Sequence, residues 1–260
     1  MELMQNFGLT FSKYVRENSR TLLIRLLGLL AILIALALWI GYVYNTESWN
    51  IGPHDYDRAH SREVGFFSVI LIFIAAAGAS EVMGMMDTKE RRISTLMTPS
   101  TQLSKFVTAW IINGPVLVGV YVAFAYIADF VRYLVYSSLD IAGCYVAPFS
   151  FGSINAPSEV IEAYFMFIIL IQALFVLGGT VWSGKSFIKT AIFLVALCMV
   201  YSAFVSLGFS LTVVEGGNYF KLFNNEPDIA WIWVADIAVS LGIYVLAYFR
   251  FKESEIINRW

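Results

Sequence analysis

Six apolar runs of about twenty residues, each the length that spans a bilayer core as a helix, most constrain what this chain can fold into. Only 14% of the residues are charged and the mean hydropathy is +0.72, which leaves too little polar surface for a soluble globule. We therefore predict an all-α membrane protein with one transmembrane domain over residues 1–260. Its six helices are expected at 22–44, 66–86, 110–130, 160–182, 188–214 and 229–251.

The segments between these runs are predicted to lie at the membrane surfaces. In Phe7–Thr21, aromatic residues recur at helical spacing while the basic residues point elsewhere, which favours a helix in the inner interface over a frayed tail. Asn45–Gly65, with a turn at Gly52-Pro53, is expected to be a polar outer loop, and Val131–Glu159 a longer aromatic one.

The distribution of Lys and Arg predicts the orientation of the helices. Positive loops stay in the cytoplasm, and 13 of the 17 basic residues fall on one side of the predicted bundle. Both termini are therefore expected in the cytoplasm, in the inner (plasma) membrane. The basic residues expected outside are Arg58, Arg62, Arg132 and Lys221.

The most polar long segment, Asp87–Trp110, lies between the second and third apolar runs on the basic side. Thr98-Pro99-Ser100 interrupts the chain, and a proline suits the first turn of a new helix. Leu103, Phe106 and Val107 then recur at i, i+3, i+4, which predicts a short helix with one apolar stripe. A cytoplasmic helix of this kind is expected to be covered by a soluble partner.

Residues 92–106, RISTLMTPSTQLSKF, resemble the first cytoplasmic loop of type-2 ABC transporter permeases. In that family a Gly-Thr-Leu-x-x-Leu-x-x-Pro-like run leads into a coupling helix that docks on the ATPase subunit. Thr95, Leu96 and Pro99 match, whereas Ser94 stands where many members have Gly, and the acidic residue often found before the Lys is missing. The resemblance implies an ATPase-coupling interface formed by Arg92, Thr95, Leu96, Pro99, Leu103, Lys105 and Phe106.

The function that this resemblance implies is that of the transmembrane subunit of an ATP-driven exporter. Such a chain is not an enzyme and needs no cofactor of its own, because a separate ATPase subunit binds the ATP. The expected partners are that ATPase, a second permease subunit (identical or related) and membrane lipids, with no nucleic acid. A structural or regulatory membrane subunit that transports nothing is an alternative.

Two motifs suggest other chemistry. Gly179–Ser186 matches the phosphate-loop pattern GxxxxGK[ST], but a working loop follows a strand and opens a helix, whereas this one joins two apolar runs. We expect the match to be accidental. His54–His60 holds both histidines and two carboxylates, so a metal-dependent membrane enzyme is a second alternative. Nearby Arg58 and Arg62 compete for those carboxylates, which favours a solvated loop.

Two ionisable residues are predicted inside the spans, Glu81 in the second and Asp236 in the sixth. Charges within the membrane region are unfavourable and usually face the bundle interior or a partner. Glu81 is expected to link the coupling loop to the bundle or to pair with Lys89 or Arg92. Asp236 is a candidate for the transport pathway or for a dimer interface.

The predicted topology can be tested with Cys144, which falls in the long outer loop. After replacement of Cys198, a membrane-impermeant thiol reagent should label Cys144 in intact cells. Labelling that requires cell lysis would contradict the orientation or the assignment of that loop.

Overall fold

The structure is a computed structural model in which all secondary-structure elements of the described residues are helices. It describes residues 2–47, 53–84, 93, 97, 100–138, 158–182, 185–214 and 229–256. The helices are α1 (Glu2–Glu47), α2 (Pro53–Glu81), α3 (Gln102–Ile111), a π turn (Ile112–Val116), α4 (Leu117–Ser138), α5 (Ser158–Val181), α6 (Ser186–Val214) and α7 (Ile229–Ile256).

Five helical stretches in the described residues are long and apolar enough to cross a membrane. They are Gly8–Val43, Glu63–Glu81, Gln102–Ser138, Ile161–Val181 and Trp233–Glu253. The all-α class is thereby confirmed for the described residues, and five helices of this length and composition indicate a multi-pass membrane protein. Helix α6 is 29 residues long, but only its apolar stretch Ser186–Val200 lies among the residues compared for length, so the count of six stays a prediction.

The N-terminal segment forms one unbroken helix, so the predicted separate interfacial helix at 7–21 is not found. At 1.5 Å per residue, the 46 residues of α1 extend about 69 Å, more than twice the ~30 Å of a bilayer core. No proline occurs in this segment to stop the helix. The polar first part and the apolar span are therefore a single element.

Two predicted loops are partly helical. Pro53 was expected in a turn, but it is the first residue of α2. The backbone N–H at this position has no partner within a helix, so a proline, which lacks the N–H, is well suited to it. At the other end α2 stops at Glu81, before the predicted Met86. The third membrane helix continues through the predicted loop start at Val131 to Ser138. Residues 139–157 of that loop lie outside the described residues.

The chain divides into two compact units. This division does not test the prediction of one transmembrane domain. Unit 1 comprises Met1–Gly78 with Pro99–Ile161, and unit 2 comprises Ala79–Thr98 with Glu162–Trp260. In unit 1, α4 contacts both α1 and α2. The Tyr136 hydroxyl donates to the Leu38 carbonyl at 2.8 Å, and the Tyr121 hydroxyl to the Phe67 carbonyl at 2.7 Å.

Unit 2 is built around the contact between α5 and α6. The rings of Phe175 and Phe187 stack with centroids 5.3 Å apart, and Gly178 lies directly against the Thr190 side chain. On α7, the buried positions Ser240, Ala247 and Phe251 repeat at helical spacing. This buried stripe is the packed face of α7.

The small residues of Ala75–Ser80 allow close approach of backbones. Ala75, Ala76 and Ala79 are buried, and a Cβ added to Gly78 would meet the Asn113 carbonyl oxygen and the Leu117 side chain. The absence of a side chain at Gly78 therefore lets α2 pack directly on the π turn.

This contact predicts opposite effects for two glycine substitutions on α2. Gly78→Ala should destabilise the protein by about 1–3 kcal/mol, because the added methyl overpacks the contact with the π turn. Gly65→Ala, where nothing lies within 4 Å of the added Cβ, should be neutral or stabilising because alanine has the higher helix propensity. Thermal unfolding in detergent would measure both. Equal midpoints for the two variants would contradict the close packing.

Candidate functional site

Helix α3, which starts within the ABC-like segment 92–106, begins at Gln102 and not at Pro99. Thr101 is its N-cap: its backbone is extended and its hydroxyl oxygen accepts a hydrogen bond from the Ser104 N–H at 3.3 Å. A threonine cap satisfies one of the free N–H groups at a helix start. The capping side chain thus sets the helix start three residues after the predicted one.

Packing separates the two apolar residues that the helical spacing places on one stripe. Phe106 is 6% exposed, whereas Leu103 is 47% exposed. Lys105, Thr108 and Ala109 are buried as well. The cause is tertiary, because α3 packs against α1, which extends well beyond its membrane-spanning length. Leu103 is the accessible apolar side chain among the predicted interface residues that the structure describes.

The π turn joins α3 to α4 without a loop. It contains Pro115, which has no N–H and would interrupt the hydrogen bonding of an ordinary helix at this point. Asn113 stabilises the turn, since its side-chain amide donates to the Ala109 carbonyl and to the Tyr14 hydroxyl of α1, both at 3.1 Å. Asn113 therefore links the junction of α3 and α4 to α1.

The other predicted interface residues, Arg92, Thr95, Leu96 and Pro99, lie outside the described residues. Between them, Ile93 and Met97 are described and form one turn, in which the Met97 N–H donates to the Ile93 carbonyl at 2.9 Å. Both of these side chains are exposed. Two exposed apolar side chains thus occur on this segment besides the residues that the resemblance names.

The two intramembrane candidates lie in different surroundings. Glu81 is the last residue of α2 and is half-buried, at the point where the chain leaves the helix. Asp236 is in the second turn of α7 and is also half-buried, and its Oδ2 atom is buried without a hydrogen-bond partner.

A buried charge cluster in unit 1 was missed by the sequence analysis. Arg132 of α4 is fully buried, and its Nε–H donates to Asp129 Oδ1 at 2.8 Å, with a second hydrogen bond from Nη2 to the same oxygen. Glu63 of α2 is equally buried, and its Oε1 lies 3.2 Å from the same Nε but accepts no hydrogen bond. Two carboxylates therefore share one guanidinium, which ties α2 to α4.

The sequence did contain a signal for this cluster. Asp129 and Arg132 are i, i+3 neighbours on a helix, a spacing at which side chains meet. Ending the third span at Phe130 placed Arg132 in the outer loop, and that assignment is wrong. Arg132 therefore does not belong among the outer basic residues of the charge distribution.

The structure also shows where the phosphate-loop-like motif Gly179–Ser186 and the histidine segment His54–His60 lie relative to the helices. Gly179–Val181 is the end of α5, Lys185 has a positive φ of 53°, and Ser186 begins α6, so helices flank the motif on both sides. A phosphate-binding loop requires a strand before it. His54–His60 forms the first turns of α2 instead of a loop, and its side chains lie outside the described ones. Among the residues whose side chains are described, no group of three metal-ligating residues occurs.

Comparison with known proteins adds no assignment. No family model, curated protein sequence or solved structure matches this chain. The resemblance to type-2 ABC permeases is therefore carried by residues 92–106 and by the order of the apolar runs.

The charge cluster predicts a large effect for loss of its cation. Arg132→Met should destabilise the protein by about 3–5 kcal/mol, because it leaves two buried carboxylates without a counter-charge. The triple variant Glu63→Met, Asp129→Leu, Arg132→Met should recover most of this loss, because it removes the charges together. Phe130→Leu, at an exposed position on the same helix, is the control and should change little. Thermal unfolding in detergent would measure the series, and a wild-type midpoint for Arg132→Met would show that the cluster does not support the fold.

Proposed function

We propose that this chain is the transmembrane subunit of an ATP-driven exporter, similar to a type-2 ABC permease, and that α3 transmits the movement of a separate ATPase subunit. The observation that carries the proposal is the position of α3. It begins inside the ABC-like segment 92–106, leaves Leu103 exposed and continues through the π turn into a helix long enough to cross the membrane.

The contacts of α3 with the rest of unit 1 support its assignment as the element that transmits the ATPase movement. One face of α3 is buried in unit 1, and Asn113 hydrogen bonds to Tyr14 immediately after α3 ends. An ATPase that pushed on Leu103 would move α3, α4 and the cytoplasmic part of α1 together, because these elements share buried contacts. Such coupling requires only that the two nucleotide states of the ATPase bind the two helix arrangements with different affinity.

The remainder of the proposal follows from the family resemblance and from the charge distribution. Six spans, with α6 as the fifth, would place both termini in the cytoplasm, in the inner membrane. Two such subunits, identical or related, would assemble with two ATPase subunits. The ATP would be bound by the ATPase subunits, so the chain would have no enzymatic activity of its own.

Leu103 provides the sharpest test of this proposal. Leu103→Asp should weaken ATPase binding by about 2 kcal/mol or more, because it places an unpaired charge in the docking contact. The fold should be unchanged, since Leu103 is exposed. Phe106→Ala is a poorer test, because truncating a buried phenylalanine destabilises the fold by about 3–5 kcal/mol whether or not an ATPase binds.

The measurement is co-purification of an ATPase subunit with the tagged chain from native membranes. Gln102→Glu is the matched control, because it adds the same charge one residue away without changing the size of the side chain, and it should leave recovery unchanged. Equal recovery with Leu103→Asp would refute α3 as the docking element. Absence of any ATPase from the wild-type preparation would favour the structural-subunit alternative.

A further inference from the structure

Polar side chains meet where α5 and α7 begin, in unit 2. The indole N–H of Trp233, in α7, donates to Glu162 Oε2, in α5, at 3.2 Å. Each residue is the fifth of its helix, so the contact lies near the starts of both helices. The hydrogen bond fixes the indole ring and keeps one carboxylate at the helix contact.

Two further polar groups follow Trp233 on the same face of α7. Asp236 and Ser240 are three and seven residues further on, which places them in one stripe with the buried Ala247. Ser240 is only 2% exposed, and its hydroxyl has no hydrogen-bond partner. Asp236 Oδ2 is buried and likewise accepts no hydrogen bond. Buried polar groups are normally paired, so these two atoms are available to a ligand.

No cation in the described part of unit 2 lies at this position. Lys185 and Lys189 are at the opposite end of α5 from Glu162, and Arg250 pairs with Glu253 near the end of α7. Along α7, Arg250 is about 21 Å from Asp236 at 1.5 Å per residue. Lys252 is two residues further along α7 than Arg250. Glu162 and Asp236 therefore place two carboxyl groups inside membrane-spanning stretches, with no described cation of unit 2 beside them.

Asp236 also borders the outside of the helix pair. Its neighbours Val234 and Ile237 are exposed apolar side chains, whereas Ser240 is buried one turn further on. The carboxyl group thus lies at the edge between the lipid-facing surface of α7 and its packed face. A ligand dissolved in the bilayer could reach it sideways while its apolar part stayed in lipid.

From this arrangement we propose that Glu162, Trp233, Asp236 and Ser240 bind the cationic head of a membrane-dissolved amphiphile. Two carboxylates supply the charge, the indole offers a π face of the kind that attracts organic cations, and the Ser240 hydroxyl lines the buried end. A metal ion fits less well, because two carboxylates leave most of its coordination positions empty. The proposal rests on the proposed function only in naming such cations as the exported substrate class.

Binding of tetraphenylphosphonium to the purified chain in lipid nanodiscs, without ATPase or nucleotide, tests the site directly. The wild type should bind it, and Asp236→Asn should weaken binding at least tenfold. Tetraphenylborate, which has the same shape and the opposite charge, should show no dependence on Asp236. Glu253→Gln is the control, since it removes an exposed carboxylate from the same helix, and binding should not change.

Thermal unfolding supplies the second readout. Asp236→Asn should leave the midpoint unchanged or raise it, because the variant removes an unpaired charge from the membrane region. Weaker binding without lower stability assigns Asp236 to the site. Equal affinity of wild type and Asp236→Asn, or equal binding of the cation and the anion with the same dependence on residue 236, would overturn the proposal.

The two proposals can fail separately. Cation binding that depends on Asp236, with no ATPase recovered, would leave the site standing and refute the exporter. ATPase recovery that depends on Leu103, with no cation binding, would support the exporter and refute the cation site.

Discussion

The hydrocarbon core of a bilayer offers no water to hydrogen bond with polar groups, and this constraint shapes the described structure. Helices satisfy the backbone internally, so each apolar run becomes a helix. Buried polar side chains need partners from the protein itself. Tyr121 and Tyr136 of α4 donate to carbonyls of α2 and α1, and Arg132 of α4 pairs with Glu63 of α2, so the polar groups of unit 1 join its helices to one another.

Where the same constraint is not met, a function is indicated. Asp236 and Ser240 leave polar atoms buried without partners in a span that is otherwise apolar. An unpaired group of this kind is retained at the expense of stability, and binding sites are the usual place for such strain. The cluster around Arg132 contains its own cation, which lies 3.2 Å from Glu63, whereas no described cation lies beside Asp236. We therefore interpret the first cluster as structural and the second as the proposed binding site.

The π turn gives the proposed coupling its physical basis. A proline within a helix usually produces a hinge, but here Asn113 ties the turn to α1 and Gly78 lets α2 pack against it. The π turn is therefore held by contacts with both α1 and α2. A contact made at α3 would reach the membrane helices of unit 1 as a movement of several elements together.

The sequence by itself determined the class of protein and most of the helices. Long apolar runs can only be helices in lipid, and small residues such as Gly78 mark close packing, so both were predictable from local chemistry. Helix ends were less predictable. Pro53 is equally suited to a turn and to a first helical residue. In α4, the sequence becomes more polar before the helix ends at Ser138.

Only the tertiary structure decided which side chains are accessible and which are paired. The spacing of Leu103 and Phe106 shows only that the two residues share one face of α3. The burial of Phe106 depends on contacts between helices, and α1, which packs against α3, is far away in sequence. Likewise Glu63 and Arg132 are 69 positions apart, and their ion pair exists because α2 and α4 pack together. Periodicity reports the faces of one helix, whereas the partner that covers each face is set by contacts between helices.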